Sequence, residues 1–235
     1  MGIEVAKQYL QQHYPHATAA LLGGSAVHGQ FHERSDLDLV IIDPETDVSF
    51  HEVVHFKGWT IDTFVFYEEV ISDFFALNAD RGIPTLQKIC ATGVVLCNVD
   101  GAADTLKAEA VKSYTRGPTA WTLDELNDAR YQLTDVLLDL EATTVWMESW
   151  VLSSRLIWQT IEFALRAEER WCGEGRWLLR EFKAADEIRY IQLTQAIEVF
   201  EAMQQTQPII DWVDSVLEPY GGRLLLGYYA EGEPD

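Results

Sequence analysis

Through the first hundred residues apolar positions come in short blocks, several alternating with polar ones, and past residue 120 they recur every three or four positions. The first pattern predicts strands interleaved with helices. Residues 3–12 read as a helix, with Val5 and Leu10 on one side and no breaker before Pro15. A strand over 18–22, a turn at Gly23-Gly24-Ser25 and a short helix over 25–30 follow. The unbroken apolar run in 37–42 predicts a central strand buried on both faces. After a turn at 44–47, residues 50–56 and 59–66 alternate as two strands linked through Gly58. Helices are predicted over 68–78, 84–90 and 102–114, with a short strand over 93–96.

The segment 114–119 breaks this pattern and marks a domain boundary, dividing the chain into 1–115 and 120–230. Beyond it Thr122 and Glu125 have capping-box spacing, and Leu126, Leu133, Val136, Leu137 and Leu140 form one face of a long helix. A second helix carries Trp150, Val151, Ile157, Trp158, Ile161 and Leu165 and ends near 171–173. Shorter helices are expected over 176–185, 190–203 and 209–217, before a loose tail at 231–235. The fold class is therefore α+β, a mixed sheet flanked by helices and then an all-α bundle. Seven of the eight tryptophans fall in the bundle, which makes it the aromatic-rich half.

Composition narrows the setting. At 235 residues and 48% hydrophobic content the chain can bury a sizeable core. No apolar run approaches the roughly 18 residues of a membrane span, and the N-terminal residues lack the pattern of a signal peptide, so a soluble cytoplasmic protein is expected. Three scattered cysteines, Cys90, Cys97 and Cys172, fit buried thiols in a reducing compartment. A net charge of −21 repels nucleic acid and anionic membranes and favours a cationic substrate, although acidity also confers solubility whatever the substrate.

The candidate chemistry lies in 23–38. Gly23 and Gly24 let the backbone turn tightly and bring bare N–H groups against a phosphate, and Ser25 adds a hydroxyl donor. Asp36 and Asp38 stand two apart at the head of a strand, so their carboxylates leave the same face. Two such groups repel unless a hard cation lies between them, which suits Mg²⁺. A glycine turn followed by a solvated aspartate pair is the plainer reading of the same residues.

In combination these residues resemble the DNA polymerase β-type nucleotidyltransferase superfamily. The chain reads Leu22-Gly23-Gly24-Ser25, ten residues, then Asp36-Leu37-Asp38-Leu39, which is that family's order and spacing. The following helical bundle resembles the arrangement in antibiotic nucleotidyltransferases of the aminoglycoside and kanamycin type. The resemblance implies a nucleotidyltransferase-fold catalytic domain and a substrate-binding bundle. It implies attack of an acceptor hydroxyl on the α-phosphorus of ATP or another nucleoside triphosphate, with pyrophosphate leaving and two Mg²⁺ ions engaged. Asp36 and Asp38 would ligate the metals and Asp62, in a strand-like apolar setting, would be the third carboxylate and accept the hydroxyl proton. Asp62 facing water on an edge strand is the alternative. Gly23, Gly24, Ser25, Arg34 and Ser35 would bind the nucleotide, with an exposed loop arginine the plainer reading of Arg34.

The implied acceptor is a small, cationic molecule; no nucleic acid or membrane partner is expected, and a homodimer is compatible with the sequence. Transfer of the nucleotide to a protein and a non-catalytic nucleotide-binding module are the competing functions. Arg176 and Arg180, four apart beside Trp177, could close on a triphosphate but also suit a solvated helix face. Glu141, Glu148 and Glu162 are candidates for a substrate-facing acid in the bundle. The histidine pairs His28/His32 and His51/His55 have helical ligand spacing, but one straddles Gly29 and the other lies in a strand, so histidine is not expected to bind metal.

Overall fold

The structure, a computed structural model, describes residues 2–24 and 36–231. It divides into two compact units, Met1–Pro118 and Thr119–Asp235.

In the first unit the described residues form a five-stranded sheet. Its strands are β1 (Ala19–Leu22), β2 (Leu37–Ile42), β3 (Phe50–Phe56), β4 (Trp59–Phe66) and β5 (Val94–Asn98), in the order β3-β4-β2-β1-β5. β2 and β4 run parallel, and every other neighbouring pair is antiparallel. β2 is the middle strand and its apolar residues are buried on both faces, as its continuous apolar run requires.

Alternation along β2 sends Leu37, Leu39 and Ile41 to one face and Asp38, Val40 and Ile42 to the other. The first face packs on helix α1 (Gly2–His13) through Ala6, Tyr9 and Leu10. The second packs on α2 (Ile71–Arg81), α3 (Thr85–Thr92) and α4 (Ala102–Arg116), which contribute Phe75, Ile89, Cys90 and Leu106. Asp38 therefore belongs to the face carrying α2 to α4, where the apolar rows give out at the strand's head.

Some predicted boundaries shift for local reasons. Instead of one helix over 68–78, a 3-10 turn spans Glu68–Val70 and α2 runs on to Arg81. Gly82, at φ 71°, then takes the left-handed cap position and donates its N–H to the last carbonyls. β5 runs two residues further than the predicted 93–96, to Asn98, because its ladder with β1 continues past a register shift at Ala20/Leu21.

The second unit is helical: α5 (Leu123–Ala142), α6 (Trp146–Ala167), α7 (Arg176–Ala185), α8 (Glu187–Met203) and α9 (Gln207–Leu217). Thr122 and Glu125 form the reciprocal capping box that their spacing suggests. Leu137, Leu156, Phe163, Phe182, Phe200 and Val213 lie in one core. α6 stops at Ala167, short of the expected 171–173, because Glu169 turns left-handed at φ 54° and Arg170 N–H folds back to the Leu165 carbonyl at 2.8 Å. α8 starts earlier than expected because the Asp186 carboxylate caps Arg189 N–H at 2.9 Å.

After α9 the chain lies along α5. Arg130 donates to the Gly222 carbonyl at 3.1 and 3.0 Å, Leu224 N–H donates to Thr134 Oγ1 at 2.9 Å, and Tyr228 stacks on Tyr131 at 4.0 Å. Arg223 bridges Asp214 at 2.7 Å and Glu141 at 2.8 Å, and those bonds hold its guanidinium well above the usual range. The predicted tail at 231–235 lies outside the described residues beyond Glu231. Among the described residues no helix is long and apolar enough to cross a membrane, and Cys90, Cys97 and Cys172 are free thiols.

Candidate active site

The glycine turn meets the aspartates at the head of the sheet. Gly23 leaves β1 with its N–H donating to the Asp38 carbonyl at 2.8 Å, and a Cβ there would meet the Ile89 side chain at 2.8 Å. That N–H is thus already paired within the protein. Gly24 stands at φ 71°, and a Cβ on it would fall 1.7 Å from Asp38 Oδ2. Both the backbone conformation and the carboxylate exclude any side chain at that position. Ser25, Arg34 and Ser35 lie outside the described residues, as do the predicted 25–30 helix and the histidine pair His28/His32.

β4 supplies the third carboxylate. The parallel register sets Asp38 opposite Asp62, on strands about 4.8 Å apart, so the two side chains share one face. Asp62 is on neither an edge strand nor a fully buried site: β3 is the edge, and the Asp62 side chain keeps a quarter of its surface exposed. Asp36, one residue before β2 begins, is exposed.

Burial, followed by repulsion from Asp62 and Asp36, pushes the Asp38 carboxyl up to about 6. A cation beside it would relieve both sources of repulsion. Among the described residues no three acid, histidine or cysteine side chains converge into a finished metal cage. The fit to Mg²⁺ rests instead on the donor set, carboxylate oxygens from adjacent strand positions with mutual repulsion to offset.

Asp62 has a partner that the spacing of histidines did not suggest. His51 Nε2 lies 2.5 Å from Asp62 Oδ1, and the imidazole stacks on Phe64 with centroids 4.4 Å apart and planes 5° from parallel. Reading His51 and His55 as an i,i+4 pair looks along one strand, whereas the contact runs across two. The signal lay in the two-residue link Lys57-Gly58, whose positive φ values of 48° and 83° suit a tight hairpin turn. Counting back from Phe56 opposite Trp59 puts His51 opposite Phe64 and diagonal to Asp62.

In the helical unit the candidate acids have different surroundings. Glu141 pairs with Arg223, and Glu148 accepts from Thr143. Burial raises the Glu162 carboxyl against the opposing pull of Arg166. Arg180 lies over the Trp177 ring at 4.7 Å. An open groove of about 580 Å³ between the end of α5 and the start of α6 is lined by Asp139, Thr143, Met147, Glu148, Val151 and Leu152.

Residues 3–90 match the family model described as nucleotidyltransferase domain. No curated protein matches the chain. Among solved structures, a nucleotidyltransferase-like protein from Exiguobacterium sibiricum superposes with a TM-score of 0.51 at 10% identity, over 93% of this chain and 75% of that one. At that identity the likeness is one of fold, a mixed sheet with flanking helices followed by a helical region. Residues 3–90 therefore carry a nucleotidyltransferase domain, the domain type of the DNA polymerase β-type superfamily, and the match supports a transferase of nucleotidyl groups.

Proposed function

We propose that the chain transfers a nucleoside monophosphate, AMP from ATP in the first instance, to a hydroxyl of a small cationic acceptor, with Mg²⁺ engaged and pyrophosphate released. The observation that carries this reading is the register of Asp38 against Asp62, with Gly24 pressed on the Asp38 carboxylate. Phosphate and metal ligands then lie at one strand head.

Asp36, Asp38 and Asp62 would hold the cation, which when bound supplies charge neutralisation at the triphosphate and activation of the acceptor hydroxyl. Gly24, whose backbone can approach a ligand closely, would place its N–H toward the phosphates, with Ser25, Arg34 and Ser35 as further contacts. Asp62, with Oδ1 held by His51, keeps Oδ2 for the acceptor side and would take its proton. Most of the rate would come from holding nucleotide and acceptor in line.

The helical unit, residues 120–230 in this reading, would recognise the acceptor. Its groove combines Asp139 and Glu148 with Met147 and Val151, and its volume suits a small molecule. A lining of both acidic and apolar side chains suits an amine-bearing ligand, and the net charge of −21 adds long-range attraction. The test is a screen of amine-bearing alcohols, aminoglycosides included, against ATP and then GTP, read by pyrophosphate release. Acceptor-dependent release with a cationic alcohol is expected. Release only with a protein acceptor, or tight ATP binding with no product, would remove this reading.

A further inference from the structure

We propose that His51 is a positioning residue for nucleotidyl transfer, acting through Asp62; the inference rests on the reading of Asp62 as a metal and acceptor ligand. Asp62 stands in register with Asp38, so its nearest neighbour across β2 is another acid and supplies no hydrogen-bond donor. The donor comes from the opposite strand. With hydrogen on Nε2, the imidazole donates to Oδ1 at 2.5 Å, and this needs no charge on the ring.

The ring itself is held. Its plane lies 5° from that of Phe64, and Phe64 packs against the buried cluster formed by Val40, Ile42 and Phe66. An aspartate carboxyl left alone is a broad two-fold rotor about its last bond. Pinned at Oδ1 by a donor whose own orientation is fixed by an aromatic floor, it offers Oδ2 in one orientation. Carboxylates that ligate metals are commonly held in this way, and loss of the outer partner weakens metal affinity or activity by about 10- to 100-fold. His51 is half exposed, so its replacement leaves the core intact.

The test measures binding of Mn²⁺ with α,β-methylene-ATP, a non-transferable analogue, by electron paramagnetic resonance on the full chain. His51→Phe keeps a ring over Phe64 and removes the donor; His51→Gln restores an N–H near the same place. His51→Phe is expected to weaken Mn²⁺ binding by about 10- to 100-fold with an unchanged melting temperature, and His51→Gln to recover most of the loss. In steady-state assays kcat should fall while KM for ATP holds. In the metal-free protein, ring ¹⁵N shifts should place the His51 hydrogen on Nε2, and Asp62→Asn should disturb them. Wild-type Mn²⁺ affinity in His51→Phe, alongside lost affinity in Asp62→Asn, would overturn the role of His51 and leave the metal reading standing. No Mn²⁺ binding by the wild type, or full binding by Asp62→Asn, would overturn that reading and this inference with it.

Discussion

Gly24 and Asp38 are two sides of one contact, and their substitutions have opposite expected effects. Gly24→Ala puts a methyl into the Asp38 carboxylate at a left-handed φ of 71°. The conformation alone costs about 1–2 kcal/mol, so denaturant unfolding should show a loss at least that large, together with lost nucleotide binding. Unchanged stability would mean that the turn does not press on Asp38. Asp38 carries the converse burden. Its carboxyl is raised to about 6 from an ordinary 3.8, so the folded state holds the proton more tightly than the unfolded chain. The fold is therefore least burdened below about pH 4, and the penalty grows as pH rises through about 6. In metal-free buffer at pH 8, Asp38→Asn should be more stable than the wild type by about 2–3 kcal/mol, with the gap closing below pH 4. The same variant should be inactive, as expected where a site is strained for function. A wild type that outlasts Asp38→Asn at pH 8 would contradict this account of the carboxylate.

At the scale of elements, helices and strands follow from patterns that were legible along the chain. The unbroken run of β2 gave its central place, and the Thr122/Glu125 spacing gave the start of α5. What was hidden needs pairing information. Asp38 and Asp62 are 24 residues apart, and only the parallel register of β2 with β4 brings them level. His51 was within reach of counting, since the Lys57-Gly58 turn determines the β3–β4 register, but a search for metal spacing along a single helix passes over a diagonal strand pair. Helix ends moved where capping chemistry differs from periodicity, at Gly82 and Asp186. The capping box gives a local check. Thr122→Ala removes the acceptor for Glu125 N–H and should cost the helical unit about 1 kcal/mol. A denaturation midpoint for that unit equal to the wild type's would show that tertiary packing alone sets the start of α5.

For the molecule as a whole, the candidate features divide between two units. The first holds the glycine turn, the aspartates and the match to the nucleotidyltransferase domain family; the second holds most of the tryptophans and the acid-lined groove. An expectation for the nucleotide side could be formed because a Gly-Gly-Ser turn and a carboxylate pair are short and ordered along the chain. The proposed acceptor side left no such pattern, because helix bundles build ligand sites from side chains scattered over several helices with no fixed spacing. The central claim is that Asp36 and Asp38 support a metal-dependent nucleotidyl transfer. The most direct test is pyrophosphate release from ATP by the purified chain with an acceptor, measured with Mg²⁺ and with EDTA, in the wild type and in Asp36→Asn and Asp38→Asn. The account predicts release that EDTA abolishes and that both variants lose while still folded by circular dichroism. Turnover that persists in either folded variant, or in EDTA, would contradict it.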